Sequence, residues 1–450
     1  MLPAPIPRSM TVSKTIDYIA QPGGKLAGRI RVPGDKSISH RSVMLGSLAE
    51  GATRVTGLLE GEDVQSTLGA FRAMGVHTEG PDHGRLVIHG VGLRGLKAPT
   101  HPLDMGNSGT AMRLMAGILA GQPFDSELIG DASLNKRPMG RVVDPLRIMN
   151  ASIGATEGGR PPLRIRGGRK LRGIDYRLPV ASAQVKSCLL FAGLYADGET
   201  TVTEPAPTRD HTERMLRGFG YAVQTRDGRI SLRGGGRLTA CDIDVPADIS
   251  SATFFLVGAS IAPGSDLMLE HVGINPTRIG VLNILKLMGA DLELLNAREV
   301  GGEPVADIRV RAAPLHGIRI PEDQVPLAID EFPALFIAAA CAEGETVLTG
   351  AQELRVKESD RIAVMAQGLK RLGIDARETP DGIVIQGGRL RSGEVDSSGD
   401  HRAAMAFAMA ALRNDGRVTV YDCKNVDTSF PGFVTLATRA GLSIEARSGR

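Results

Sequence analysis

The sequence contains no tryptophan, and aromatic residues make up only 4% of its 450 residues. Proteins that hold single-stranded nucleic acid use aromatic side chains as stacking surfaces, and this chain supplies few of them. Its 53 lysine and arginine residues are nearly balanced by 50 aspartate and glutamate residues, which leaves a net charge of +3. A charge this small does not attract polyanions through the overall field of the protein. We therefore expect no nucleic-acid partner.

Cysteines and long apolar runs are also scarce. No two of the cysteines have the CxxC spacing, and they are Cys188, Cys241, Cys341 and Cys423. This pattern disfavours a zinc or redox interpretation and favours reduced, mostly buried thiols. No apolar run reaches the roughly 18 residues of a membrane span, and the N-terminal segment lacks the apolar region of a signal peptide. We expect a cytoplasmic protein without a membrane partner, in which residues 1–15 form a loose tail.

One motif that the chain does contain fits a phosphate group. In PGDKSISHRS, Lys36 and Arg41 flank Ser37, Ser39 and Ser42 at a predicted helix start. A helix start offers unpaired backbone N–H groups and a partial positive charge. Together with lysine, arginine and serine side chains, it makes a site for a doubly charged anion.

A helix that ends at glycine or asparagine, followed by two alternating strands, recurs along the chain. The helix-ending residues are Gly75, Asn150, Gly220, Gly289, Gly373 and Gly441. These residue types fit because the position after a helix end often has a left-handed backbone. The spacing of roughly 70 residues suits a βαβ-type module, so six modules predict an α/β protein with two domains of three modules each. The alternative is that helix, glycine and hairpin simply follow one another in many α/β proteins.

Other segments repeat the basic or hydroxyl-rich helix start. They are GNSGTAMR at 106, NKRPMGR at 135, SAQVKS at 182, TRDHTE at 208, RVKESDR at 355 and DHRAAMAF at 400. In SAQVKS, Lys186 lies four residues after Ser182 and so on the same helix face. For any single segment, a solvated basic loop or a simple helix cap is the alternative. Together they predict a positively charged cleft for a small ligand that carries phosphate and carboxylate groups.

Two acidic residues stand out among these cations. Asp330 precedes a very apolar helix, and Glu358 lies between Lys357 and Arg361. A negative charge at a helix start is stabilised by about 0.3–1 kcal/mol through the helix dipole. A simple helix cap is therefore one interpretation of Asp330. A carboxylate beside cationic groups is also what proton transfer on a bound anion requires.

These segments, with GDKSISHR at 34 and DEFP at 330, resemble the enolpyruvyl transferases, and within them the branch whose acceptor is shikimate 3-phosphate. The resemblance covers nearly the whole chain after the tail, and HVGINPTRIG at 271 is similar to the family's second class. It implies a two-domain inside-out α/β barrel with six βαβαββ repeats, three per domain. The implied first domain comprises residues 1–34 and 248–450, and the second comprises residues 35–247, with crossings near Gly34 and Ala247.

The resemblance also implies a reaction. A transferase of this kind joins phosphoenolpyruvate to the 5-hydroxyl of shikimate 3-phosphate and releases phosphate, by addition and elimination through a tetrahedral intermediate, in the shikimate pathway to aromatic amino acids. Asp330 is the implied proton acceptor, Glu358 is implied to lie nearest the methylene carbon, and Lys36 shares in proton transfer. No cofactor or metal is implied, a monomer is expected, and glyphosate is the expected inhibitor.

Binding residues follow from the same resemblance. The implied phosphoenolpyruvate site consists of Lys36, Asn107, Gly109, Arg137, Gln184, Arg361 and Arg402. The implied shikimate 3-phosphate site consists of Lys36, Ser37, Arg41, Ser182, Ala183, Gln184, Arg209, Asp330 and Lys357. Arginine suits both because its planar group binds carboxylate and phosphate with two hydrogen bonds.

Two departures from the family pattern are visible. Many members carry a lysine directly before a Thr-Phe-Pro run, whereas this chain has Asp427-Thr428-Ser429-Phe430-Pro431, with Lys424 nearby. Second-class members often have alanine where this chain has Gly109. The missing methyl group widens the implied pocket, so we expect more sensitivity to glyphosate than the class suggests.

Two alternative functions stay open. The sister branch uses UDP-N-acetylglucosamine as acceptor, with the same fold and donor, but its loop usually carries a reactive cysteine that Gly130–Arg141 lacks. A non-catalytic anion-binding protein on the same scaffold would gain nothing from Asp330 and Glu358.

Overall fold

The structure is a computed structural model that describes residues 15–449. The predicted loose tail, residues 1–15, lies outside the described residues except for Thr15.

The helices among residues 15–449 alternate with short strands. The α-helices are α1 (Lys36–Leu48), α2 (Glu62–Ala73), α3 (Gly109–Ala120), α4 (Gly140–Ile148), α5 (Ala183–Gly193), α6 (His211–Gly218), α7 (Ile249–Ile261), α8 (Gly280–Leu287), α9 (Phe332–Cys341), α10 (Arg361–Arg371), α11 (His401–Ala410) and α12 (Phe433–Ala440). Short 3-10 turns cover Leu134–Lys136, Glu322–Gln324, Gln352–Val356, Ala411–Arg413 and Lys424–Thr428.

The strands of the first half are β1 (Ile16–Ala20), β2 (Ala27–Ile30), β3 (Glu50–Thr56), β4 (His77–Asp82), β5 (Arg85–Val91), β6 (Leu103–Asp104), β7 (Ser126–Ile129), β8 (Ser152–Thr156), β9 (Arg160–Arg166), β10 (Asp175–Arg177), β11 (Glu199–Thr203), β12 (Gln224–Arg226) and β13 (Arg229–Arg233). Those of the second half are β14 (Ile243–Asp244), β15 (Asp266–Gly273), β16 (Asp291–Val300), β17 (Glu303–Arg311), β18 (Glu345–Leu348), β19 (Asp375–Thr379), β20 (Gly382–Gln386), β21 (Gly393–Asp396), β22 (Val418–Tyr421) and β23 (Ile444–Ser448).

Within the described residues, these strands form six small sheets, of which five are mixed and one, β18-β20-β19, has only antiparallel strand pairs. Two sheets are contiguous βαβαββ units, with strand orders β6-β7-β9-β8 and β10-β11-β13-β12. In each, the first two strands are parallel and the remaining pairs are antiparallel. The sheets confirm the predicted sixfold repeat.

Two other sheets take a strand from a distant part of the chain. Strand β14 pairs in parallel with β3, and β2 pairs in parallel with β15. The chain therefore crosses between the two halves of the fold twice. At the crossings Gly34 and Ala247 form a β-bridge, and the Asp248 N–H donates to the Pro33 carbonyl at 2.9 Å.

The ends of the repeat helices have the backbone that the sequence predicts. The six residues at those ends have φ values between 72° and 121°, and they are Gly75, Asn150, Gly220, Gly289, Gly373 and Gly441. Asparagine is tolerated at this conformation because its short polar side chain can hydrogen-bond locally.

The buried hydrophobic residues form two separate cores. One combines Tyr18–Val32 with Ala247–Ile444, and the other spans Ile38–Val245. Three almost fully buried helices lie in each core, α7, α9 and α11 in the first and α1, α3 and α5 in the second, with the sheets packed around them. The predicted domain limits, 1–34 with 248–450 and 35–247, stay a prediction that these two cores support.

Candidate active site

The first turns of the buried helices meet between the two cores. Most of these helix starts are capped by a side chain that accepts a hydrogen bond from a backbone N–H group. The capping residues are Asp35, Ser108, Ser182, Asp248 and Asp400. The Lys36 N–H at the start of α1 donates to Asp248 at the start of α7 at 3.4 Å. Gln184 at the start of α5 donates to Thr110 at the start of α3 at 2.9 Å. The starts of α1, α3 and α5, which the sequence singled out, thus each meet another helix start.

Asp330, immediately before α9, is surrounded by cations. Its carboxylate pairs with Arg209, with Lys357 at 3.4 Å and with Arg361 at 3.2 Å. Arg402 donates to its backbone carbonyl at 3.0 Å. Burial disfavours the charged carboxylate, but these four cations outweigh burial and hold the pKa of Asp330 well below its ordinary value. Asp330 is therefore ionised at neutral pH.

Glu358, three residues before Arg361, is the second carboxylate. It pairs with Arg361 at 2.5 Å and with Arg137 at 3.5 Å. Burial disfavours its charge, but Arg361, Arg137 and Lys36 hold the pKa of Glu358 well below its ordinary value. The two carboxylates share Arg361, which places them on either side of one guanidinium group.

Ion pairs cross from one core to the other at this site. Three arginines from the 35–247 segment reach carboxylates from the 248–450 segment, and the pairs are Arg209–Asp330, Arg137–Glu358 and Arg141–Glu353. Residues predicted from separate motifs thus form one cluster that spans both cores.

Polar side chains lie together where α3 and α5 begin. Asn107 accepts a hydrogen bond from Arg137 at 2.6 Å, and Gln184 accepts one from Arg113 at 2.6 Å. A methyl group on Gly109 would lie 3.0 Å from Arg113 Nη1 and 3.3 Å from Arg137 Nη1. Arg137 Nε is buried without a protein hydrogen-bond partner, and buried polar atoms of this kind call for a ligand or water.

The comparison with known families agrees with this geometry. The family model described as EPSP synthase (3-phosphoshikimate 1-carboxyvinyltransferase) matches residues 20–436. The chain belongs to the EPSP synthase family. A relative from Methylococcus capsulatus, named 3-phosphoshikimate 1-carboxyvinyltransferase, is 68% identical over 432 residues, which are 96% of this chain and 99% of the relative. A relative of the same name from Alkalilimnicola ehrlichii is 66% identical over 430 residues, 95% of this chain and 96% of the relative. The chain is therefore an enzyme of the transferase class.

Solved structures confirm the predicted fold. EPSP synthase from Acinetobacter baumannii superimposes with a TM-score of 0.88 at 60% identity, over 96% of this chain and 100% of that one. The enolpyruvyl transferase NikO from Streptomyces tendae has a TM-score of 0.79 at 15% identity, over 97% of this chain and 100% of that one. At this low identity, the similarity to NikO shows only that the two chains share the inside-out barrel fold.

Some of the predicted binding residues form hydrogen bonds with other groups of the protein. Arg41 is 2% exposed and donates to Thr212 at 2.6 Å, to Ser187 at 2.8 Å and to the Ser37 carbonyl at 2.9 Å. It fixes the start of α1, and its role in ligand binding stays a prediction. Ser37 itself accepts a hydrogen bond from Arg209 at 3.5 Å.

The segment around α5 divides into capping and buried residues. Ser182 caps α5 by accepting the Val185 N–H, and Ala183 is the first residue of that helix. Lys186 has no exposed side-chain surface and pairs with Glu204 at 3.0 Å and Glu213 at 2.7 Å. It is therefore not available to an anion, although the sequence places it on the same helix face as Ser182.

Lys36 has a partner that the sequence did not single out. Its Nζ lies 3.0 Å from the Asp63 carboxylate, and the two side chains are 18% and 11% exposed. Asp63 lies in the first turn of α2, where an acidic residue is ordinary, so the sequence carries no signal for this pairing.

Arg278 is the second residue that sequence reasoning missed. It is 3% exposed, and it donates to Asp35 at 2.9 Å, to Asp248 at 3.1 Å and to Ser250 at 2.7 Å. It also lies 3.7 Å from Glu331, the residue that follows the first site carboxylate. One buried arginine thus ties both chain crossings to the start of α9.

No helix of the described residues is both long and apolar enough to cross a membrane.

Proposed function

We propose that the chain transfers the enolpyruvyl group of phosphoenolpyruvate to the 5-hydroxyl of shikimate 3-phosphate and releases inorganic phosphate. The observation that supports this most is the pair of ionised carboxylates, Asp330 and Glu358, on either side of Arg361 in a cleft of cations from both cores. A site that only bound phosphate would be weakened by two carboxylates. Proton transfer to and from an anionic substrate, by contrast, requires groups such as these two carboxylates to act as base and acid.

The addition step needs a base and an acid. A bond forms between the 5-oxygen of shikimate 3-phosphate and C2 of phosphoenolpyruvate, while C3 takes a proton and becomes a methyl group. Asp330 accepts the proton of the 5-hydroxyl, and Glu358, protonated once substrate is bound and assisted by Lys36, donates the proton that C3 takes. In the elimination, the C2–oxygen bond to phosphate breaks, the methyl group returns a proton to Glu358, and the leaving phosphate takes the proton held by Asp330. Both carboxylates then end as they began, with one phosphate released.

The cations position the anionic groups of both substrates. In this proposal, phosphoenolpyruvate is held by Lys36, Asn107, Gly109, Arg137, Gln184, Arg361 and Arg402. Shikimate 3-phosphate is held by Lys36, Ser37, Arg41, Ser182, Ala183, Gln184, Arg209, Asp330 and Lys357. Arginine clamps of this kind orient reactants and stabilise the charge that develops on them.

Substrate binding also changes the carboxylates. Without substrate, the Glu358 carboxylate is neutralised by two guanidinium groups, that of Arg137 at 3.5 Å and that of Arg361 at 2.5 Å. A substrate phosphate or carboxylate that shares these guanidinium groups weakens that neutralisation. The pKa of buried Glu358 then rises toward a value at which it can hold and deliver a proton.

Several finer properties follow from the family and belong to the same proposal. We propose that the enzyme is a cytoplasmic monomer and that glyphosate inhibits it by occupying the phosphoenolpyruvate pocket.

The direct test measures phosphate release from phosphoenolpyruvate with shikimate 3-phosphate or UDP-N-acetylglucosamine as the acceptor. We expect release only with shikimate 3-phosphate, and loss of that release in Asp330→Ala. Release only with the sugar nucleotide would overturn the acceptor. No release with either, together with retained anion binding in Asp330→Ala, would favour an anion-binding protein.

A further inference from the structure

A hairpin far in sequence from the proposed catalytic residues brings two imidazoles and a carboxylate together. The hairpin consists of β4 and β5, in which His77 lies directly opposite His89. Glu79 lies two residues after His77 on the same strand. Because side chains alternate between the faces of a strand, all three project from one face. The opposite face carries Leu86 and Ile88, which are 1% and 0% exposed, so the three polar side chains lie on the outer face.

The donor atoms of these residues are close enough to share one ion. One ligand atom from each of His77, Glu79 and His89 lies within 4.8 Å of the other two. The His89 Nε2 and Glu79 Oε1 atoms are 2.7 Å apart, and the two imidazole ring centres are 5.0 Å apart. Ligands around a tetrahedral ion at 2.0–2.1 Å are about 3.3–3.4 Å from one another. Small side-chain rotations therefore bring the three donors from the present separations to coordination distance.

We propose that His77, Glu79 and His89 form a surface binding site for a zinc-class divalent ion. Two imidazole nitrogens and one carboxylate oxygen suit Zn²⁺ and its neighbours better than Mg²⁺ or Ca²⁺, which prefer oxygen ligands throughout. Three protein ligands leave a fourth position for water. The site lies outside the proposed catalytic cluster and does not depend on the proposed reaction.

The exposure of these side chains limits how tightly they hold an ion. The side chains of His89 and Glu79 are 43% and 62% exposed, and ion pairs this exposed contribute little to stability. The positive charge of Arg54 also attracts the Glu79 carboxylate, so Arg54 competes with a bound ion. We therefore expect binding in the micromolar range, about 1–100 µM, rather than the tight binding of a buried structural site.

The test is a calorimetric titration of ZnCl₂ into the full-length, tag-free protein after treatment with EDTA. We expect one ion per chain, and at least about tenfold weaker binding in His77→Ala and in His89→Ala. In Co²⁺-loaded protein, visible absorption typical of tetrahedral cobalt should appear and should be lost in the same variants.

His83→Ala is the matched control. His83 is at the tip of the same hairpin, its side chain is 94% exposed, and it is not one of the three ligands. Its removal should leave zinc affinity unchanged. All three substitutions are at the surface, so thermal melting of the zinc-free variants should match wild type. No binding up to 1 mM zinc, or equal binding in wild type and His89→Ala, would overturn the proposal.

Discussion

Gly109→Ala tests the geometry of the proposed phosphoenolpyruvate pocket. The added methyl group would lie 3.0 Å from Arg113 Nη1, 3.3 Å from Arg137 Nη1 and 3.7 Å from Leu134 Cδ1. Both guanidinium groups must therefore retreat by a few tenths of an ångström. Gly109 is the first residue of α3 and has no positive φ, so alanine introduces no backbone strain there. The protein should fold normally, and the effect should be confined to the pocket.

The size of the effect follows from the contacts that move. A hydrogen bond to a charged group contributes about 1.5–3 kcal/mol, and a small displacement loses part of that. We expect a loss of about 0.7–1.4 kcal/mol for phosphoenolpyruvate, which is a threefold to tenfold rise in KM. Glyphosate has a longer chain between its carboxylate and its phosphorus atom than phosphoenolpyruvate has, so its inhibition constant should rise more, by at least about tenfold.

Steady-state kinetics of wild type and Gly109→Ala, with and without glyphosate, measure both effects. Gly69→Ala is the control, because a methyl group on Gly69 in helix α2 meets no atom within 4 Å. It should leave both constants unchanged. Equal glyphosate inhibition constants in wild type and Gly109→Ala would refute the argument.

Three further predictions concern stability and positioning. Burial, reinforced by Lys36, lowers the pKa of His40 and of His401 to about 3. Unfolded histidine binds a proton below about pH 6.5 and these folded ones do not, so each costs up to about 1.4 kcal/mol of stability per pH unit as pH falls from 6.5 toward 3. Urea unfolding at pH 7.5 and 5.5 should show a smaller acid loss in His40→Gln, and an equal loss would contradict this. Arg278→Gln leaves the buried carboxylates of Asp35 and Asp248 without their cation and should cost about 3–5 kcal/mol of unfolding free energy, with partial rescue by Arg278→Lys. A loss below about 1 kcal/mol in urea unfolding would show that these ion pairs do not stabilise the fold. Asp63→Asn frees Lys36 from its partner and should lower kcat about tenfold with little change in KM or melting temperature, whereas unchanged kcat would remove Asp63 from the positioning network.

The repeat could be predicted from sequence because its signal is local. Gly75, Asn150 and their counterparts each mark a helix end within a few residues, and a left-handed backbone there needs no distant partner. The closure of the sheets carries no such signal. Strand β14 completes a sheet with β3, almost 190 residues earlier in the chain, and nothing in its two residues indicates that partner.

The residues of the candidate site also fall into two groups, those that a local motif identifies and those that only the fold brings together. Lys36, Arg137 and Glu358 could be identified because each lies in a distinctive motif near a helix start. Their partners could not, because a charged residue in a sequence does not specify which distant charge it meets. Arg278 and Asp35, 243 residues apart, form a buried pair that only the fold creates.

The most direct test of the central claim is hydrogen exchange at C3 of phosphoenolpyruvate, measured by mass spectrometry in D₂O with shikimate 3-phosphate present. Reversible addition through Glu358 and Asp330 should place deuterium on C3 in the wild-type enzyme. Glu358→Gln and Asp330→Asn should reduce that exchange by about 10²–10⁴-fold, while calorimetry shows that shikimate 3-phosphate still binds. Wild-type exchange in Glu358→Gln would contradict the account.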